Sequence, residues 1–247
     1  MGYTLAICGK GGTGKTTIAS LIVGWLAKNQ KGKILAVDAD PNSNLASALG
    51  VEAKVDIGEI VDEMAKDPSK IPQGMSKQDY IDYRIHTDLA EAQGFDILVM
   101  GRPEGPGCYC YVNNVLRDVV KKISNSYDFI IIDNEAGLEH LSRKTTRSAD
   151  CLIIVSDNSS VGLRSAKRIY DLVKELGIKV GKEYLVLNRS SNNFKAKDQI
   201  KELEYLDTIP EDKELLNLSA EGKSVLELKN GSAAIKSIER ICRKIWQ

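Results

Sequence analysis

The chain has 247 residues and 43% hydrophobic content, enough for one sizeable α/β core and too little for two large independent domains. Its 34 basic and 34 acidic residues cancel, so it lacks the electrostatic footprint of a general nucleic-acid binder. No apolar run reaches the roughly 20 residues of a membrane helix, the chain enters a strand at once, and five cysteines are too few for a secreted disulfide scaffold, so a cytoplasmic protein without membrane or nucleic-acid partners is expected.

Tyr3 to Cys8 reads as a buried strand. The next stretch, Gly9-Lys10-Gly11-Gly12-Thr13-Gly14-Lys15-Thr16-Thr17, fits the phosphate-binding pattern G-x-x-x-x-G-K-[ST]. Its glycines let backbone N–H groups approach phosphate oxygens of ATP or ADP, Lys15 is long enough to reach the β- and γ-phosphates, and the Thr16 hydroxyl can ligate Mg²⁺. Ile18, Leu21, Ile22, Trp25 and Leu26 then recur at helical spacing, which predicts a helix opening at the loop, with its anion-favouring end toward the ligand. Lys10 makes the loop resemble the signature-lysine form shared by MinD, ParA and the nitrogenase iron protein. That resemblance implies a lysine crossing a homodimer interface to the partner's nucleotide; the plainer reading is a solvated surface lysine.

Residues 33–37 predict the second strand, which delivers Asp38 and Asp40 to its C-terminal end, the edge where open parallel sheets bind ligands. Two carboxylates at that spacing suit Mg²⁺ and a water nucleophile. The resemblance implies Asp38 near the metal and Asp40 aligning the attacking water; the alternative is that Asp40 caps the next helix, with Pro41 in its first turn. Residues 51–87 are polar and weakly periodic, with short helices expected near 57–64 and 75–83, and are read as a variable insertion at the sheet edge.

A strand at 94–100 leads into a Gly/Pro-rich loop bearing Cys108 and Cys110, followed by Val112, Val115, Leu116, Val119 and Ile123 at helical spacing. The C-x-C pair reads as two soft metal ligands, two ordinary loop cysteines or a strained disulfide. One pair cannot complete a tetrahedral sulfur site, whereas two pairs near a dimer axis could. Phe129 to Ile132 form an apolar strand ending in Asp133, a second Mg²⁺ carboxylate, and Gly137 lies where a γ-phosphate could move a switch. Glu139 and His140 are weaker metal candidates. Strands at 151–155 and 183–189 flank a helix ended by Gly177, and Asn188 resembles the asparagine that contacts adenine in this superfamily. Pro210 and Glu211 lie in an I-P-E-D segment that resembles one closing over the base. Ser232 to Trp246 read as a final covering helix, and Cys8, Cys151 and Cys242 as packing residues.

Taken together, G-K-G-G-T-G-K-T-T, D-A-D-P-N-S-N-L, G-C-Y-C and D-N-E-A-G-L-E-H-L resemble the CooC-type ATPases, accessory proteins that put nickel into carbon monoxide dehydrogenase, with a close relative serving acetyl-CoA synthase. The resemblance implies that Cys108 and Cys110 of two subunits hold one Ni²⁺ or Zn²⁺ at a dimer interface, in a nucleotide- or metal-dependent homodimer with a nickel enzyme as client. The expected fold is a single α/β P-loop domain over 1–247, a mostly parallel sheet with helices on both faces. A membrane- or DNA-cycling positioning ATPase and an iron–sulfur scaffold are the competing functions.

Overall fold

The computed structural model describes the chain except residues 1, 30, 105–107, 136–147, 191–199, 201 and 247, with backbone alone at 108 and 109. The strands are β1 (Tyr3–Gly9), β2 (Ile34–Ala39), β3 (Ala90–Ala92), β4 (Phe95–Val99), β5 (Phe129–Asn134), β6 (Ser148–Ser156), β7 (Lys179–Asn188) and β8 (Glu204–Ile209), with apolar, β-branched runs in the central ones. They make one sheet in the order β3-β4-β2-β5-β1-β6-β7-β8. All pairings are parallel except β3 with β4, where Ala90 faces Ile97 and Ala92 faces Phe95. The parallel strands therefore end on a common edge.

Helices cover both faces, as expected of a parallel sheet buried on each side. They are α1 (Lys15–Lys28), α2 (Asn44–Leu49), α3 (Ile57–Lys66), α4 (Lys77–Asp88), α5 (Cys108–Ile123), α6 (Ser160–Glu175), α7 (Lys213–Ala220) and α8 (Ala233–Trp246). Among the described residues three apolar clusters result. In the largest, Ile18, Ile22 and Leu26 of α1 meet Leu5 and Ile7 of β1, Leu45 of α2, and Ile238 and Ile241 of α8. On the opposite face Leu163 and Ile169 of α6 pack with Cys8, Leu152 and Ile154.

The third cluster changes the picture of residues 51–87. Two helices were expected there, and both form, but they are longer and supply core: Ile57, Ile60, Val61 and Met64 of α3 and Tyr80, Ile81 and Ile85 of α4 are buried with Val112, Val115, Leu116 and Val119 of α5. Asp56 starts α3 with a reciprocal capping box to Glu59. On the solvent side Arg84 of α4 bonds Glu63 of α3 at 2.6 Å and Asp88 at 2.7 Å, and Lys70 also pairs with Glu63.

The C-terminal helix α8 is a packed cover, with Ile238, Ile241, Cys242 and Ile245 buried. Its Trp246 stacks on Trp25 of α1, centroids 6.1 Å apart and planes 7° from parallel, and meets Tyr3 and Phe129 edge-on. Cys8, Cys151 and Cys242 are buried in β1, β6 and α8, where small packing residues were expected. Among the described residues no helix is long and apolar enough to cross a membrane.

Candidate functional site

The common edge gathers the sequence-predicted groups from the ends of β1, β2, β5, β7 and β8. β1 runs out at Gly9, whose φ of 154° and missing Cβ allow the loop to pass the Val155 carbonyl; a Cβ there would lie 2.3 Å from that oxygen. The loop then closes on itself: the Thr13 N–H and hydroxyl both donate to the Lys10 carbonyl, at 3.3 and 2.8 Å. Gly12 and Gly14 take φ of 78° and 91°, and Gly14 is the N-cap of α1 with no side chain to satisfy the helix's open N–H groups. Those donors and the helix dipole suit a phosphate chain. Lys10 and Gly11 are exposed, while Lys15 is buried, with 7% of its surface accessible, at the start of α1.

Asp38 of β2 and Asp133 of β5 stand in register on neighbouring strands, with Thr16 near enough to Asp133 to favour its charged form. Both carboxylates are buried. Burial, and then the neighbouring Asp133 charge, push Asp38 up to about 7; burial pushes Asp133 up to about 6, against the opposing pulls of Thr16 and Lys15. Asp38 is nevertheless well bonded, its two oxygens accepting from the N–H groups of Leu45 at 2.8 Å and Asp40 at 3.1 Å. Asp133 differs, because its buried Oδ1 has no hydrogen-bond partner. A buried carboxylate oxygen left open is costly unless something occupies it. Hard oxygen donors from Thr16 and Asp133, with Asp38 alongside, fit Mg²⁺, which takes one or two protein oxygens together with substrate phosphates and water. Among the described residues no group of three or more His, Cys, Asp or Glu could hold an ion alone.

Asp40 does not cap a helix. Its Oδ1 accepts from Asn42, through the backbone N–H at 2.9 Å and the side-chain amide at 2.8 Å, and Ser43 follows in a left-handed conformation before α2 begins at Asn44. It is Asp38 that reaches into the first turn of α2. This leaves Asp40 in a tight, partly exposed turn beside the two buried carboxylates.

Asn188, at the end of β7, is buried and donates to the Thr13 carbonyl at 2.8 Å. That contact with the loop was not anticipated, since the residues lie 175 positions apart and nothing in the local pattern of either segment announces it. Pro210 and Glu211 follow β8 on the same edge, half-buried and exposed respectively. Thr17 lies in the first turn of α1 and is half-buried.

Cys110 sits in the first turn of α5, exposed and with a free thiol. The segment leading to it is fastened to α3: Gly58 N–H donates to the Met100 carbonyl at 2.9 Å, the Glu104 N–H to Asp62 at 2.7 Å, and Lys66 pairs with Glu104. The Cys108 side chain, Gly137, Glu139 and His140 lie outside the described residues.

A family model described as an AAA domain matches residues 4–186. An uncharacterized ATP-binding protein of Methanocaldococcus jannaschii is 41% identical over 247 residues, covering 98% of this chain and 97% of that protein. The carbon monoxide dehydrogenase accessory protein CooC of Rhodospirillum rubrum is 32% identical over 188 residues, covering 71% of this chain and 70% of that protein. Among solved structures, the septum site-determining protein MinD of Pyrococcus horikoshii, complexed with Mg-ADP, has a TM-score of 0.73 at 23% identity, covering 100% of this chain and 97% of that one. A ParA family ATPase from Chlorobium tepidum has a TM-score of 0.73 at 22% identity, covering 98% and 99%. These two likenesses establish the fold. With the family match running through the phosphate loop and both buried aspartates, the chain belongs to the AAA-domain family of P-loop ATPases and shares its fold with MinD and ParA.

Proposed function

We propose that this ATPase is a nucleotide-switched metallochaperone, delivering nickel to an enzyme of the carbon monoxide dehydrogenase or acetyl-CoA synthase kind. The observation that carries the reading is Cys110. Of the cysteines with described side chains it alone is exposed, at the start of α5 on the edge that holds the phosphate loop. The similarity to CooC supports the choice of cargo and client.

In this reading the loop from Gly11 to Thr17 binds the phosphates of ATP, Lys15 neutralises developing charge on the β- and γ-oxygens, and Asp40 orients the attacking water. Thr16, Asp38 and Asp133 hold Mg²⁺, which supplies charge neutralisation at the phosphates when bound. Lys10, exposed at the loop, reaches the nucleotide of a second protomer and ties ATP to dimer closure. Closure brings Cys108 and Cys110 of both protomers around one Ni²⁺ or Zn²⁺, and hydrolysis reopens the dimer for release. Asn188, Pro210 and Glu211 enclose the base, and Gly137 reports the γ-phosphate.

The test is an anaerobic nickel titration with and without MgATP, reading metal per protomer together with molecular mass. One ion per two protomers, lost in the Cys108→Ala/Cys110→Ala variant while MgATP still binds, is the expected outcome. Absence of tight nickel or zinc binding in every nucleotide state would overturn the metallochaperone reading and leave a positioning ATPase of the MinD or ParA kind.

A further inference from the structure

The end of β7 grips the phosphate loop at two successive peptides. Asn188 Nδ2 donates to the Thr13 carbonyl at 2.8 Å, and Asn188 Oδ1 accepts the Arg189 N–H at 3.0 Å, which fixes the amide's orientation. Arg189 takes a left-handed backbone, φ 53°, unusual for a residue with a side chain, and its Nη1 lies 3.4 Å from the Gly12 carbonyl. The fit is close enough to dictate the loop's sequence. A Cβ on Gly14 would lie 2.2 Å from Asn188 Nδ2, so Gly14 is required by its neighbour as well as by its own φ of 91°.

The carbonyl and N–H of one planar trans peptide point in opposite directions. Holding the Thr13 carbonyl toward β7 therefore turns the Gly14 N–H away from it. Gly14 is the N-cap of α1, so that N–H is one of the open donors at the helix end that an anion meets. The Thr13 N–H is engaged within the loop by the Lys10 carbonyl. The strand thus sets the one peptide of this pair whose donor remains for phosphate.

We propose that Asn188 is a positioning residue for the phosphate loop: its bond to the Thr13 carbonyl aims the Gly14 N–H, so the grip on the phosphate chain depends on Asn188 even for a ligand that carries no base. Contact with adenine is compatible with this role, because a side-chain amide has two donor hydrogens and two acceptor sites, and the loop and Arg189 use one of each. Base and phosphates would then be read by one connected unit. The inference needs only a phosphate-binding loop and is independent of the metallochaperone reading.

The experiment measures binding of Mg²⁺-tripolyphosphate and of MgATP to the full-length wild-type protein and to Asn188→Ala, with thermal midpoints compared first. Loss of one buried hydrogen bond predicts about a five- to tenfold weaker tripolyphosphate affinity, with ATP weakened at least as much. If Asn188→Ala does not fold, Asn188→Ser serves, since its hydroxyl is too short to span to Thr13. A folded variant that loses ATP affinity but keeps wild-type tripolyphosphate affinity overturns the proposal and makes Asn188 a reader of the base alone. Unchanged affinity for both ligands overturns it equally.

Discussion

Two sets of carboxylates in this protein live under opposite electrostatics. Glu63 and Asp88, on the solvent side of α3 and α4, are met by Arg84, and Lys70 also pairs with Glu63. The Lys70 and Arg84 bonds hold the Glu63 carboxyl below its ordinary value. Asp38 and Asp133 are buried side by side, both are pushed up, and one oxygen of Asp133 has no partner. The first set is finished within the chain. The second is left incomplete within the chain; under the proposed function a cation with its phosphates would complete it and relieve the cost of burying it.

Breaking the site side should have the largest effect. Asp133→Asn keeps the size but removes the buried charge. Steady-state Mg²⁺-dependent ATP hydrolysis is expected to fall by roughly 100-fold. The nucleotide-free protein should melt no lower than wild type. A variant that melts well below wild type without ligand would show that the Asp133 charge stabilises the fold, contrary to the comparison.

The pH dependence sharpens the same contrast. Below the ordinary value of 3.8, Asp38 is protonated whether the chain is folded or not. Between there and about 7 the unfolded chain has released a proton that the native one keeps, so stability falls as pH rises through this window and levels above it. Asp133 adds a fall of the same sign, ending near 6. Glu63 acts in reverse, its contribution being full above its unfolded value and lost as pH drops through the lowered native one. Melting without ligand should thus lose roughly 5 °C between pH 5 and 8, and Mg²⁺ with ADP should flatten the curve. A ligand-free midpoint that rises over this range would contradict the assignment.

The smallest effect belongs to the exposed network. Arg84→Ala should cost about 1 kcal/mol, seen as a shift of a few degrees at neutral pH, with ATP hydrolysis unchanged. A larger loss would mean that the α3–α4 pair depends on these charges more than on its apolar contacts.

Much of this arrangement is written locally. A strand such as Phe129 to Ile132 ending in an acid, or a glycine loop between a strand and a periodic helix, carries its meaning within ten residues, and both appear where the pattern puts them. The α1, α5 and α8 helices follow their apolar spacing closely. What escaped notice depends on distance. The core of α3 and α4 is built from seven apolar residues scattered over two short helices among charges, and their burial becomes visible only beside α5. β3 is three residues long, too short for an alternation to register, and its antiparallel pairing rests on the turn before β4. The alternative reading of Asp40 as a helix cap rested on the Pro41 that follows it, yet the Asn42 amide groups bond its oxygen instead. At the site, residue types and strand ends were readable, whereas the Asn188 bond to Thr13 and the open oxygen of Asp133 are properties of the folded edge.

The stacked indoles have a practical consequence. Trp25 and Trp246 are the chain's two tryptophans, and they stack on each other between α1 and α8. Ten helical residues separate Trp25 from Lys15, a rise of roughly 15 Å. Intrinsic fluorescence will therefore follow the undocking of the C-terminal helix and stay nearly silent when phosphates bind, so a nucleotide titration needs a labelled ligand, while an unfolding curve needs no label.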